Sequence, residues 1–148
     1  MSTAFYKLLT AAAVVASVAS VPAIADTDGP KKLFAADMKW EPLAEGSPLN
    51  VVKLWGDPFK DGGYGMLVKL PPGFTTGMHS HSAPYYSVEL TGRKIHRGKD
   101  EEKSEAYTPG SFTHEVPGHI HEDVCTGSED CILFITQQTK FDFLPEKK

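Results

Sequence analysis

The chain has 148 residues, 15 Lys and Arg against 19 Asp and Glu for a net charge of −4, and is 41% hydrophobic. That length and composition suit one folded domain and leave no room for two comfortable ones. A mildly acidic chain whose basic residues fall only in short mixed runs lacks the electrostatic footprint of a nucleic-acid-binding protein.

In chain order, Met1–Ala25 carries Lys7, an Ala- and Val-rich stretch from Leu8 to Val21, and Ala23-Ile24-Ala25 before Asp26. This order predicts a secretory signal peptide over 1–25 and a periplasmic or secreted mature protein. The uncharged stretch of about 14 residues is short of the roughly 20 that span a bilayer, so no membrane contact is expected after cleavage. Residues 26–39 read as an N-terminal arm, polar through Gly29 and Pro30, with a turn of helix or an edge strand within Leu33–Trp40. Residues 40–143 read as a β-barrel, and 144–148 as a C-terminal tail.

From Asn50 onward the sequence consists of short apolar runs between turn residues, the signature of an all-β chain. The predicted strands are Val51–Trp55, Tyr64–Leu70, Phe74–Ser80, Tyr85–Thr91, Arg93–His96, Ser111–Val116, His119–Cys125 and Cys131–Gln138. Asp57-Pro58, Asp61-Gly62-Gly63 and Pro71-Pro72-Gly73 supply the turns. Gly62-Gly63-Tyr64-Gly65 precedes a strand and not a helix N-terminus, so it is a hairpin turn and not a phosphate cradle. The mixed-charge run Lys99–Glu105 reads as a solvated turn. Cys125 and Cys131 bracket a polar loop, and export would permit a disulfide between them; the alternative is two free thiols.

The segments that carry chemistry are Gly73, five residues, His79-Ser80-His81, then Gly92; and Gly110, five residues, Val116-Pro117-Gly118, two residues, His121. Residues two apart on a strand share a face, so His79 and His81 can reach one ion, with His121 as the candidate third imidazole. His119 has the same parity as His121 and is a candidate supplementary ligand. His96 and His114 are expected to be surface or barrel-lining residues, and Glu122 and Asp123 to be solvated. Alternation sends Tyr85, Ser87 and Glu89 to one side of their strand and Tyr86, Val88 and Leu90 to the other. Buried, the first set needs polar partners; exposed, the second needs a further layer or a second copy of the chain, as in a homodimer.

These segments resemble the two motifs of the cupin superfamily: G, five residues, H-x-H, three or four residues, E, six residues, G; and G, five residues, P-x-G, two residues, H, three residues, N. Every spacing of the first is matched by Gly73, His79, His81, Tyr85 and Gly92, with Tyr85 standing where glutamate is usual. In the second, Gly110, Gly118 and His121 fall in place, proline is displaced to Pro117, and Cys125 replaces asparagine. The His-Ser-His-Ser-Ala-Pro-Tyr-Tyr segment, Cys-Ile-Leu-Phe-Ile and Phe141-Asp142-Phe143 look like a bacterial cupin group, the domain-of-unknown-function family 4437, related to the cupin half of ChrR-type anti-sigma factors. The resemblance spans Trp40–Phe143.

The resemblance implies a double-stranded β-helix, a jelly-roll-like barrel, with His79, His81 and His121 as ligands of one divalent metal ion. Fe2+ is preferred, and Zn2+, Mn2+, Ni2+ and Cu2+ also suit imidazole. Tyr85 is then a candidate catalytic acid and Glu89 a candidate base. The expected function is a periplasmic metal-dependent enzyme acting on a small oxygenated or anionic metabolite, with dioxygenase chemistry preferred. The alternatives are a Lewis-acid isomerase or lyase, or a non-catalytic cupin that binds or senses a small ligand.

Overall fold

The computed structural model describes residues 31–147, so the expected signal peptide lies outside the described residues. A short 3-10 turn at Ala35–Asp37 precedes the strands β1 (Glu41–Pro42), β2 (Asn50–Trp55), β3 (Tyr64–Leu70), β4 (His79–Ser80), β5 (Tyr85–Thr91), β6 (Lys94–Gly98), β7 (Ala106–Tyr107), β8 (Phe112–Glu115), β9 (His121–Cys125), β10 (Cys131–Gln137) and β11 (Leu144–Pro145). They form two antiparallel sheets, ordered β1-β2-β3-β10-β5-β8 and β11-β4-β9-β6-β7. Among the described residues no helix is long and apolar enough to cross a membrane.

Strand parity governs what lies between the sheets. β3 and β10 pair over their full length, Leu70 opposite Cys131 and Tyr64 opposite Gln137, and put Tyr64, Met66, Val68, Leu70, Leu133 and Ile135 into one apolar cluster with Val51 of β2. Each such aliphatic side chain taken fully out of water contributes about 1.5–3 kcal/mol. In the second sheet the same alternation sends polar groups inward: Lys94 and His96 from β6, His121 and Asp123 from β9, all at least nine-tenths buried. The barrel interior is therefore apolar along β2, β3 and β10 and ionisable along β6 and β9, joined there by buried Glu89 of β5 and Glu115 of β8. The outer face of the first sheet keeps Trp55, Tyr86, Leu90 and Phe112 exposed, with Tyr86 stacked on His114 at 4.6 Å and on Phe112 at 6.1 Å.

Three departures from expectation have physical reasons. The segment 74–80 is a strand only at its end, because Gly77 adopts φ +67. Before that bend it runs along β9 through Cys125 N–H to Phe74 O (3.0 Å), Thr76 N–H to Asp123 O (3.0 Å) and a single bridge from Thr75 to Val124. The expected tail is a strand: Leu144 pairs with Ser80 and Pro145 with His79, and proline is tolerated because β11 is an edge. β1, β7 and β11 are two-residue edge strands, too short to show an alternation in sequence.

Gly92 ends β5 at φ +79, and a Cβ there would stand 2.8 Å from both Asp130 O and Cys131 Cα. Glycine is required twice over, by the left-handed backbone and by the approach of the next strand. Beside it Cys125 and Cys131 are joined in a disulfide that closes the β9–β10 loop, where the chain passes from one sheet to the other, with Cα atoms 5.8 Å apart. We expect the purified protein to show no titratable thiol until it is reduced, and reduction or Cys131→Ser to lower unfolding free energy by about 2 kcal/mol, the loop-closure value for so short a ring. Thiol titration with urea denaturation checks both, and two thiols in unreduced protein would refute the bridge.

Candidate metal centre

His79 sits on β4, His81 just beyond it and His121 at the start of β9, directly across from His79 in the sheet. All three are buried, at 3%, 5% and 1% exposure, and one donor atom from each lies within 4.8 Å of the others. Each ring is oriented through its Nδ1–H. His79 donates to Gly77 O at 2.9 Å, His81 to Asp142 O, and His121 to His119 O at 3.1 Å. That fixes the tautomer and leaves Nε2 of each ring as the unprotonated nitrogen, the form in which imidazole binds a metal. Burial lowers the His79 pKa to about 4, outweighing the opposing bond to Gly77, and lowers that of His81 for the same reason. His79 and His81 are thus neutral and ready to coordinate.

Tyr85 enters from β5, 5% exposed, with its hydroxyl 3.4 Å from His121 Nε2. Burial and the surrounding carboxylates of Asp123, Glu115 and Glu89 push its pKa well above the phenol value, so it holds its proton beside the three imidazoles. Glu89 also points inward, 2% exposed, but its carboxylate is 2.7 Å from Lys94 Nζ and is absent from the cavity lining. The carboxylate expected as a base is thus engaged by Lys94. His119 turns its Nδ1 to Glu115 at 2.8 Å and is not one of the three imidazoles that converge.

Sequence parity also held a signal that went unused. Asp123, expected in solvent, is two residues from His121 on the same inward face and 8% exposed. It takes His96 Nδ1–H at 2.8 Å and Lys94 Nζ at 3.0 Å. His96 Nε2 lies 3.4 Å from Glu115 Oε1, and Glu115 Oε2 lies 3.0 Å from His121 Nδ1. Glu122 faces outward and pairs with Arg97, and His114 stays outside on Tyr86.

Burial alone would raise the Asp123 and Glu115 carboxyls. The cations and imidazole N–H groups around them win and hold both far below the usual range. Burial would likewise lower His96, yet its bonds to Asp123 and Glu115 carry it up to about 9.

A cavity of about 50 Å³ opens onto His79, His81 and Tyr85, room for roughly three waters. Among the described residues its other walls are mostly apolar, including Leu43, Met66, Leu133 and Ile135, with Asp123 as the one acidic side chain and no Lys or Arg. The segment after β10 straps its mouth: Phe143 stacks on His79 at 4.2 Å, Phe141 lies 5.5 Å from His81, and Asp142 Oδ1 accepts Ser82 N–H at 3.0 Å.

Two facing antiparallel sheets with three inward imidazoles at one end define a cupin barrel, and similarity to solved structures agrees. An RmlC-like cupin from Ralstonia eutropha JMP134 superposes with TM-score 0.58 at 24% identity, covering 74% of this chain and 68% of that one. The polyketide cyclase RemF from Streptomyces resistomycificus gives 0.64 at 19%, covering 80% and 87%, and an oxalate oxidase gives 0.54 at 13%, covering 71% and 59%. No curated protein matches the sequence. Residues 15–144 match the model of the domain of unknown function DUF4437, and the chain belongs to that family.

The ionic cluster makes stability depend on pH with a definite sign. His96 has a folded pKa near 9 against about 6.5 unfolded, so its contribution is complete below about pH 6.5 and is lost as pH rises through 9. The full shift corresponds to roughly 3 kcal/mol. Urea denaturation across this range should show stability falling, with the fall flattened in His96→Gln. A wild-type profile that stays level from pH 6.5 to 9.5 would contradict the charged His96 pair.

Proposed function

We propose that this chain is an exported, metal-dependent cupin enzyme acting on a small oxygenated metabolite, with Fe(II) dioxygenase-type chemistry. The observation that carries it is the set of three buried imidazoles, each with Nδ1–H spent on an acceptor and Nε2 left unprotonated. Bound there, Fe(II) would supply redox chemistry toward O₂ with coordination positions open to substrate. The protein's own part is to hold and shield. His79, His81 and His121 keep their donors aimed together, Phe141 and Phe143 exclude water, and Tyr85 keeps a proton within reach of the centre. A mostly apolar cavity with no Lys or Arg among its described lining residues suits a small neutral hydroxy or keto compound. A ligand of more than a few heavy atoms requires the Phe141–Phe143 strap to swing aside. Export is supported by the pattern of residues 1–25 and by the disulfide, which suits an oxidising compartment.

Tyr85 favours a second reading. A protonated phenol 3.4 Å from His121 Nε2 is placed to protonate an enolate, the step an isomerase or lyase with Zn(II) or Mn(II) as Lewis acid would require. Solved neighbours of this fold include both an oxidase and a cyclase, and a fold hosts many chemistries.

Elemental analysis of protein purified from the periplasm should find one divalent ion per chain, falling to background in His79→Ala and in His121→Ala. Unchanged metal content in those variants would refute the site. Oxygen uptake over a panel of small neutral hydroxy and keto compounds then separates the chemistries: turnover under strict anaerobiosis rules out the dioxygenase and leaves the Lewis-acid reading. Tyr85→Phe should keep its metal and lose about 10²-fold or more in turnover, the usual worth of a positioned acid. A variant unchanged in both properties would remove Tyr85 from the chemistry.

A further inference from the structure

We infer that Glu115 is a positioning residue for the metal centre, supplying through His121 the carboxylate that position 85 lacks. The inference rests on the metal-site reading above and goes beyond its three ligands. Tyr85 and Glu115 are direct partners across the β5–β8 pair, and both point into the barrel. The carboxylate absent from one strand therefore stands opposite on the next, at the same level of the barrel.

Glu115 does not reach the face shared by the three histidines. Its Oε2 lies 3.0 Å from His121 Nδ1, on the ring edge away from Tyr85, whose hydroxyl faces Nε2. It is held there from two more sides, by His119 Nδ1 at 2.8 Å and His96 Nε2 at 3.4 Å. His121 Nδ1–H also has the His119 carbonyl at 3.1 Å, so the carboxylate adds charge to a tautomer already fixed by the backbone. A negative group against that edge makes Nε2 a stronger donor and balances part of the charge of a cation beyond it. Glu115, His119 and His121 also stand close enough to one another to hold a cation themselves. Because Nδ1 of His121 is occupied as a donor, the outer role is the one the geometry favours.

The experiment uses the full mature chain with Zn2+ and Co2+ as probes, affinity being read by chelator competition and geometry by the Co2+ visible spectrum. Glu115→Gln keeps the shape and removes the charge. Affinity should fall 10- to 100-fold, the usual cost of losing such a partner, with one ion per chain retained and the Co2+ bands displaced. Should the variant fail to fold, imidazole 15N shifts of the wild-type protein read the same point: on Zn2+ addition His121 must coordinate through Nε2 and stay protonated at Nδ1, and coordination through Nδ1 overturns the inference. Unchanged affinity in Glu115→Gln alongside loss in His121→Ala overturns it while leaving the metal centre standing. Two ions per chain, one of them lost in both Glu115→Gln and His119→Ala, overturns it by making Glu115 a ligand. No binding by wild-type protein instead brings down the metal-site reading itself.

Discussion

A carboxylate carried into the interior of a small barrel must be matched by charge there, and Asp123 sets that requirement here. Burying an unpaired carboxylate costs several kcal/mol even after the surroundings relax. Lys94 at 3.0 Å and His96 at 2.8 Å meet the cost, and each must itself be balanced, Lys94 by Glu89 and His96 by Glu115. The result is a chain of alternating charge along the inner faces of β5, β6, β8 and β9. Removing Lys94 would strip Glu89 of its ion pair while leaving it buried, which is more damaging than the pair is stabilising. Hydrophobic packing of β2, β3 and β10 holds the barrel closed, while the ionic chain fixes the registry of the other wall.

The centre inherits its order from that wall. β9 places His121, Asp123 and Cys125 on one inward face, so a single strand carries an imidazole donor, the hub of the ionic chain and one end of the disulfide. Shifting β9 by one residue would turn all three outward at once. The disulfide and the bond from Cys125 N–H to Phe74 O hold one end of the strand, and the Thr76 bond to Asp123 holds its middle. His121 is therefore positioned by an element constrained along its whole length, as a site that must hold donors within fractions of an ångström requires.

Much of this was legible in the sequence, for a physical reason: strand alternation has a period of two and survives errors in strand ends. It placed His79 with His81 and set Ser87 and Glu89 on the face opposite Tyr86 and Leu90, without deciding which face is buried. Applied to His-Glu-Asp-Val-Cys from His121, it also marks Asp123 as buried. Composition argued the other way, because acidic residues beside a loop are usually solvated, and parity was the stronger constraint. Glu115 was not legible. Its importance comes from standing across from Tyr85, and cross-strand register between β5 and β8 is a long-range property with no local pattern. The edge strands β1, β7 and β11 were missed for a related reason, since two residues cannot display a period.

The division of the interior into an apolar and an ionised wall bears on the chemistry in a way neither wall would alone. A cation held by His79, His81 and His121 would sit at the seam, with aliphatic and Phe side chains on the side where a substrate enters and carboxylates behind His121. The apolar side strips water from an incoming molecule and lowers the local dielectric, which strengthens each charge interaction that remains. The ionised side supplies fixed negative charge behind the imidazole rings, with Asp123 reaching the cavity wall. Tyr85 lies between the two, protonated because burial and the nearby carboxylates both oppose a phenolate. A barrel that replaces a ligand carboxylate with tyrosine and sets the charge one strand away thus gains a proton donor at the centre while keeping negative charge close to it.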